Sequence, residues 1–188
     1  GLPQSAPAPA AVAEDIRIVL AERMVARIGM AQLRIIAVVE VRHIAADSPA
    51  IVGNAFYHRA GIAEGLNRWN IKILQEYEDL YCFAAYHPDD DHALEMAERL
   101  LENPKILGFK LQLLVQNFYP CDARLFPLYE MIIQKNKHLL FHTGTGPVEN
   151  KYVGLEPFLK VLEKFPELPA TVAHMGAHEY TGFIGLLD

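Results

Sequence analysis

HLLFHTGTGPVENKYVGLEPFLKVLEKFPELPATVAH, from His138 to His174, is the stretch that decides the fold. His138 to Thr143 is an apolar run that suits a strand. Leu155 to Lys164 reads as a helix, and Ala170 to His174 as a second strand. A strand, a helix and a strand in one such unit point to parallel pairing through a right-handed helical crossover.

The same alternation continues outward in both directions. A last helix begins near His178. Upstream, Ile106 to Val115 is a strand candidate and Leu125 to Lys135 a helix. Asp79 to Tyr86 is a strand that ends at His87-Pro88. Asp89-Asp90-Asp91 can cap the next helix, which carries Leu94, Ala97, Leu100 and Leu101 and stops at Asn103-Pro104. A helix is expected from about His58 to Tyr77, with Ile62, Leu66, Trp69, Ile73 and Leu74 on one side. Asp47 to Gly53 reads as a loop. Arg34 to Val41, RIIAVVEV, is a β-branched run suited to a strand buried on both faces. Glu14 to Ile28 has helical spacing. Residues 1–13, with Pro3, Pro7 and Pro9, form a loose Pro/Ala-rich arm, which leaves 14–188 as one α/β domain. Two architectures stay open on this pattern, a doubly wound sheet and a (β/α)8 barrel. No GxGxxG follows the first strand to favour a dinucleotide fold.

Composition narrows the function. The chain has 188 residues, 52% of them hydrophobic, enough for a core. A net charge of −6 argues against a general nucleic-acid binder. No apolar run is long enough to span a membrane. Cys82 and Cys121 are the two cysteines and lack CxxC spacing, so a reducing cytoplasm is the expected setting.

Chemistry in parallel α/β folds collects at the C-terminal ends of strands. There the chain places Arg42-His43, His87, His142 and His174, with Lys110 and Gln112 within GFKLQLL. A single such histidine is more often structural than a ligand. His43 and His87 stay in that class; His58, His92 and His138 read as surface. His142 and His174 come as a set, because each follows an apolar strand and precedes a small-residue turn one βα unit apart. Two imidazoles aimed into one mouth suit a zinc-like ion, which can make hydroxide available at neutral pH. Lys110 in an apolar strand needs a partner. It is a carboxylate-paired structural lysine, a substrate-carboxylate anchor, or in a minority reading a carbamylated metal bridge. HTGTGP also resembles a phosphate loop, weakly. Glu179 suits a helix N-terminus. Phe118 and Tyr119 either line a pocket or pack a loop.

These segments together resemble the amidohydrolase-related family, metal-dependent TIM-barrel hydrolases. The carrying pieces are NRWNIKILQEYEDLYCFAAYHP (Asn67–Pro88), GFKLQ (Gly108–Gln112), DARLFPLYE (Asp122–Glu130), LLFHTGTGP (Leu139–Pro147) and FPELPATVAHMGAHEY (Phe165–Tyr180). The resemblance implies an α/β fold that is part of a (β/α)8 TIM barrel, about strands two to six of eight. It implies a metal-dependent hydrolase that attacks C–N or C–O bonds of a small organic substrate with metal-activated water. Decarboxylases and hydro-lyases of the same superfamily, and a non-catalytic binding protein, are the alternatives.

By position, His142 matches the fifth-strand metal ligand. His174 matches the sixth-strand histidine, which binds metal or orients water or substrate. Lys110 matches the lysine of GxKLH, whose histidine is replaced here by Gln112. The site so implied has His174 and Lys110 as catalytic residues and His142 and His174 as ligands of a divalent ion, zinc by expectation. Lys110, Gln112, Phe118 and Tyr119 would contact substrate.

Two departures stand out. No His-x-His pair occurs anywhere in the chain, and no eighth-strand Asp is identified, because Asp188 would fall near the sixth helix. The expectation is therefore a partial chain with weak metal affinity and no turnover of its own. Open sheet edges make a homo-oligomer a further expectation.

Overall fold

The computed structural model describes residues 59–145 and 150–186, and the backbone of 40–45 and 48–54. All of them belong to the unit Ile35–Asp188. The Pro/Ala-rich arm, the helix expected at Glu14–Ile28, the start of the Arg34–Val41 strand and His58 lie outside the described residues.

The described strands form one sheet in the order β1 to β6. They are β1 (Glu40–Ala45), β2 (Ser48–Asn54), β3 (Leu80–Ala85), β4 (Ile106–Leu111), β5 (His138–Phe141) and β6 (Ala170–Val172). The β1–β2 pair is antiparallel and every later pair is parallel. The helices are α1 (Ala63–Glu76), α2 (Ala93–Leu101), α3 (Leu113–Gln116), α4 (Phe126–Gln134), α5 (Leu155–Lys164) and α6 (Tyr180–Ile184).

Five sequence expectations are corrected. The expected loop at Asp47–Gly53 is β2, and Pro49 is tolerated because it sits before the pairing with β3 begins at Ile51. The strand expected to end at Val41 runs on to Ala45 and lies antiparallel. The apolar run Ile106–Val115 divides: the strand stops at Leu111, where the Gln112 N–H donates to Gln116 Oε1 at 2.8 Å and the chain turns into α3. Asp90 caps α1 instead of α2, accepting from the N–H groups of Gly61 (2.5 Å) and Ala63 (3.3 Å). The α1 face is rotated, so that Leu66, Asn67, Asn70 and Leu74 are buried while Trp69 and Ile73 are half-buried.

The two sheet faces differ. Cys82, Ala84, Ile106, Phe109, Leu111, Leu139 and Phe141 form one core with Leu74, Ala97, Leu128, Ile132, Phe158 and Val161 of the helices. A register shift between β3 and β4 lets Ile106 share that face with Phe109. The other face carries Phe83 and Leu140, beside Tyr81, Leu107 and Ala173. Sequential parallel strands with their helices on one face follow the winding of a TIM-barrel-like fold. A doubly wound sheet would reverse its strand order and cover both faces.

Candidate functional site

Pleating decides which side chains can meet. Phe109 pairs with Leu139 and Leu111 with Phe141, all on the helix side. Lys110 pairs with Leu140 and so leaves the sheet on the opposite face. Two residues beyond Leu140, His142 continues on that face. Its backbone N–H still donates to Leu111 O at 2.9 Å, which holds it to the end of β4. Lys110 is buried, at 5% exposure.

His174 arrives differently. The strand expected through His174 ends at Val172, and His174 begins a left-handed turn (φ 54°, ψ 26°). That turn sets its imidazole edge-to-face with His142, with ring centroids 5.3 Å apart and planes at 71°. His142 is half-buried and His174 exposed, so the pair opens to solvent.

The ring separation can be set against that of two ligands on one ion. With a zinc–nitrogen distance of about 2.0–2.1 Å and tetrahedral angles, two ligating imidazoles have centroids roughly 5 Å apart. Their chemistry suits zinc-type ions as well. Among the described residues no group of three or more His, Cys, Asp and Glu side chains is placed to hold a metal. The two imidazoles alone would be one short of the three protein ligands that a catalytic zinc site takes.

The other sequence candidates are distributed around this pair. Gln112 is buried where β4 turns into α3. Phe118, at 2% exposure, packs in the helix-side core, edge-on to His87 at 5.6 Å. Loop packing, not solvent, surrounds it. Tyr119 is exposed, and its ring meets Tyr152 at 5.1 Å. His138 is half-buried and not on the solvated surface expected for it: its Nε2 lies 2.7 Å from Thr171 Oγ1, and its ring lies beside Phe83. His92 is exposed, as its helix-end position suggests. His87 is buried and its Nδ1 accepts from the Asp89 N–H at 3.2 Å. Burial pulls its pKa below the usual value, against the pull of Asp89 and Asp90.

Glu179 does serve a helix N-terminus, but that of α5: its Oε1 accepts from the Leu155 N–H at 3.2 Å. Its Oε2 is buried without a hydrogen-bond partner among the described residues.

Two polar side chains that sequence reading passed over join the strand-end loops. Gln116 bonds both Gln112 N and Tyr86 O, linking the ends of β4 and β3. Asn150 donates to Leu114 O at 3.1 Å, linking the segment after β5 to α3. The recurrence of Gln at positions 112 and 116, one helical turn apart, was the available signal for the first. Arg124 ties the same rim together, pairing with Asp122 at 2.6 Å and with Asp89.

Comparison with known proteins adds one strong match. A family model described as amidohydrolase matches residues 38–188. The crystal structure of an amidohydrolase II is similar at 18% identity with a TM-score of 0.49. The alignment covers 63% of this chain and 45% of that one, less than half its length. No protein of curated function matches the chain.

Proposed function

The chain belongs to the amidohydrolase family, and from that premise we propose a metal-dependent hydrolase acting on C–N or C–O bonds of a small organic substrate. The observation that carries this reading is the His142–His174 pair, 5.3 Å apart at the ends of neighbouring parallel strands. In this reading β2 to β6 are five of the eight strands of a barrel wall, and the pair stands at its C-terminal mouth. His142 and His174 hold a divalent ion, zinc by preference. Such an ion supplies water activation, bringing the pKa of a water down to about 7.

The chain's own residues do the rest. His174, on the exposed turn, is the imidazole that also faces the reacting water or substrate. Lys110, on the same sheet face as His142, anchors a substrate carboxylate with its ammonium. At 5% exposure Lys110 lies largely out of bulk water, where such a pairing is stronger. Gln112 and Tyr119 extend the substrate contacts along the rim.

The test is a zinc titration of the chain followed through its histidine ring resonances. The signals of His142 and His174 are expected to move together, and His142→Ala or His174→Ala is expected to abolish the response of the remaining partner. Independent responses, or none, would overturn the shared site.

A further inference from the structure

The turn that carries His174 is held in an unusual backbone conformation. His174 (φ 54°), Met175 (φ 50°) and Ala177 (φ 51°) flank Gly176 (φ 80°), all in the left-handed range that side-chain-bearing residues avoid. Strain of this kind persists where the surroundings over-determine it. Two contacts do so. The Gly176 backbone lies directly against Gly144, so that a Cβ on Gly144 would overlap it. On another side Gly176 rests on the ring of Phe183, itself buried and packed on Phe158 at 5.8 Å.

Each glycine is tied to one imidazole. Gly144 stands two residues after His142, and the intervening Thr143 is fully buried, its carbonyl accepting from the Gly154 N–H at 2.6 Å. Gly176 stands two residues after His174. The small-residue turns that follow the two histidines are thus in contact backbone to backbone, which fixes how far apart the chain segments carrying the two rings lie.

We infer that the Gly144–Gly176 backbone contact is a positioning device that sets the separation of His142 and His174. The inference rests on reading that pair as an ion site, and it adds what holds the two donors in register. Neither glycine touches the ion in this account; both act through the histidines that precede them.

Gly144 is the informative position to change. It does not hold a left-handed φ, so alanine there adds bulk at the contact without a conformational penalty of its own. Gly65→Ala is the control, because a Cβ at Gly65 meets only the end of the Arg68 side chain, at 3.8 Å. Zinc is titrated into the unaltered chain, Gly144→Ala and Gly65→Ala, with histidine ring resonances reporting binding and circular dichroism reporting the fold. Gly144→Ala is expected to bind zinc at least tenfold more weakly with its fold intact, while Gly65→Ala matches the unaltered chain. Should Gly144→Ala fail to fold, Phe183→Leu loosens the support under Gly176 without adding bulk, and the same weakening is expected. Unchanged zinc affinity in the folded variant would overturn the positioning role and leave the ion site standing. No zinc response in the unaltered chain would overturn the site, and the positioning role with it.

Discussion

His87 is the residue at which burial and charge oppose each other most openly. Burial favours its neutral form, while Asp89 and Asp90 favour the charged one, and burial prevails. A histidine whose folded pKa lies below its unfolded value of 6.5 contributes stability above that value and loses it as pH falls through the folded pKa, because the unfolded chain then binds more protons. The urea midpoint is therefore expected to fall between pH 7 and pH 5, and His87→Gln to flatten that fall. Identical slopes in the two proteins would rule His87 out. Lys110 poses the complementary question. Lys110→Met removes the ammonium while keeping an apolar stem, and the fold is expected to be retained. In a catalytically active form of the enzyme, a lost charge-assisted contact to a substrate carboxylate should lower kcat/KM roughly 10- to 100-fold. A variant that melts unchanged and turns over unchanged would take Lys110 out of the substrate site. Both residues were visible as strand-end or mid-strand polar groups, since a lysine in an apolar run stands out without a structure. The pairing of His142 with His174 was visible too, through matched turns one βα unit apart. Their edge-to-face geometry was not, because it depends on left-handed angles that no residue of AHMGA announces except Gly176.

At the scale of elements, Asn67 shows what periodicity cannot carry. Ala85 lies beyond Asn54, the last β2 residue paired to β3. On its β2 side it meets the Asn67 carboxamide of α1, which accepts from Ala85 N and donates to Ala85 O, both at 2.8 Å. The helix finishes the strand. Asn67→Ala would leave two buried backbone groups unpaired and is expected to cost about 2–4 kcal/mol, measurable in a urea titration. A loss under about 0.5 kcal/mol, the range of ordinary surface substitutions, would mean that water replaces the carboxamide. This bond also explains the rotated α1 face: Asn67 turns inward because Ala85 needs it, displacing Trp69 and Ile73 from the buried side. A sequence reader grouping apolar residues finds the helix and misplaces its face. The same limit hid β2. Asp47, Pro49 and Gly53 are all turn formers, and only the pairing on both sides makes SPAIVGN a strand. It likewise concealed α3, since LLVQ continues the apolar run of β4 and the break lies in one side-chain bond from Gln116.

For the molecule as a whole, one alternation governs. Helix-facing positions of β4 and β5 carry Phe109, Leu111, Leu139 and Phe141, each at 0% exposure; the positions between them carry Lys110 and Leu140, and His142 follows the end of β5. The parallel order of β3 to β6 was legible because those units repeat one strand–helix pattern, whereas the side on which the helices pack was not, since that pattern suits a doubly wound sheet as well as a barrel. Cys82 sits within the helix-side core, and Cys121 only half-buried beyond it. Burial pushes the Cys82 thiol up to about 12, so almost no thiolate is present there at neutral pH. The two sulfurs therefore run on different clocks. A thiol-reactive dye is expected to label Cys121 in the native protein promptly and Cys82 only as fast as the sheet parts from its helices. Comparable rates at the two would show that this core opens freely. If they differ as expected, the slower reaction times the opening of the helix-covered face through a side chain the sequence already carries.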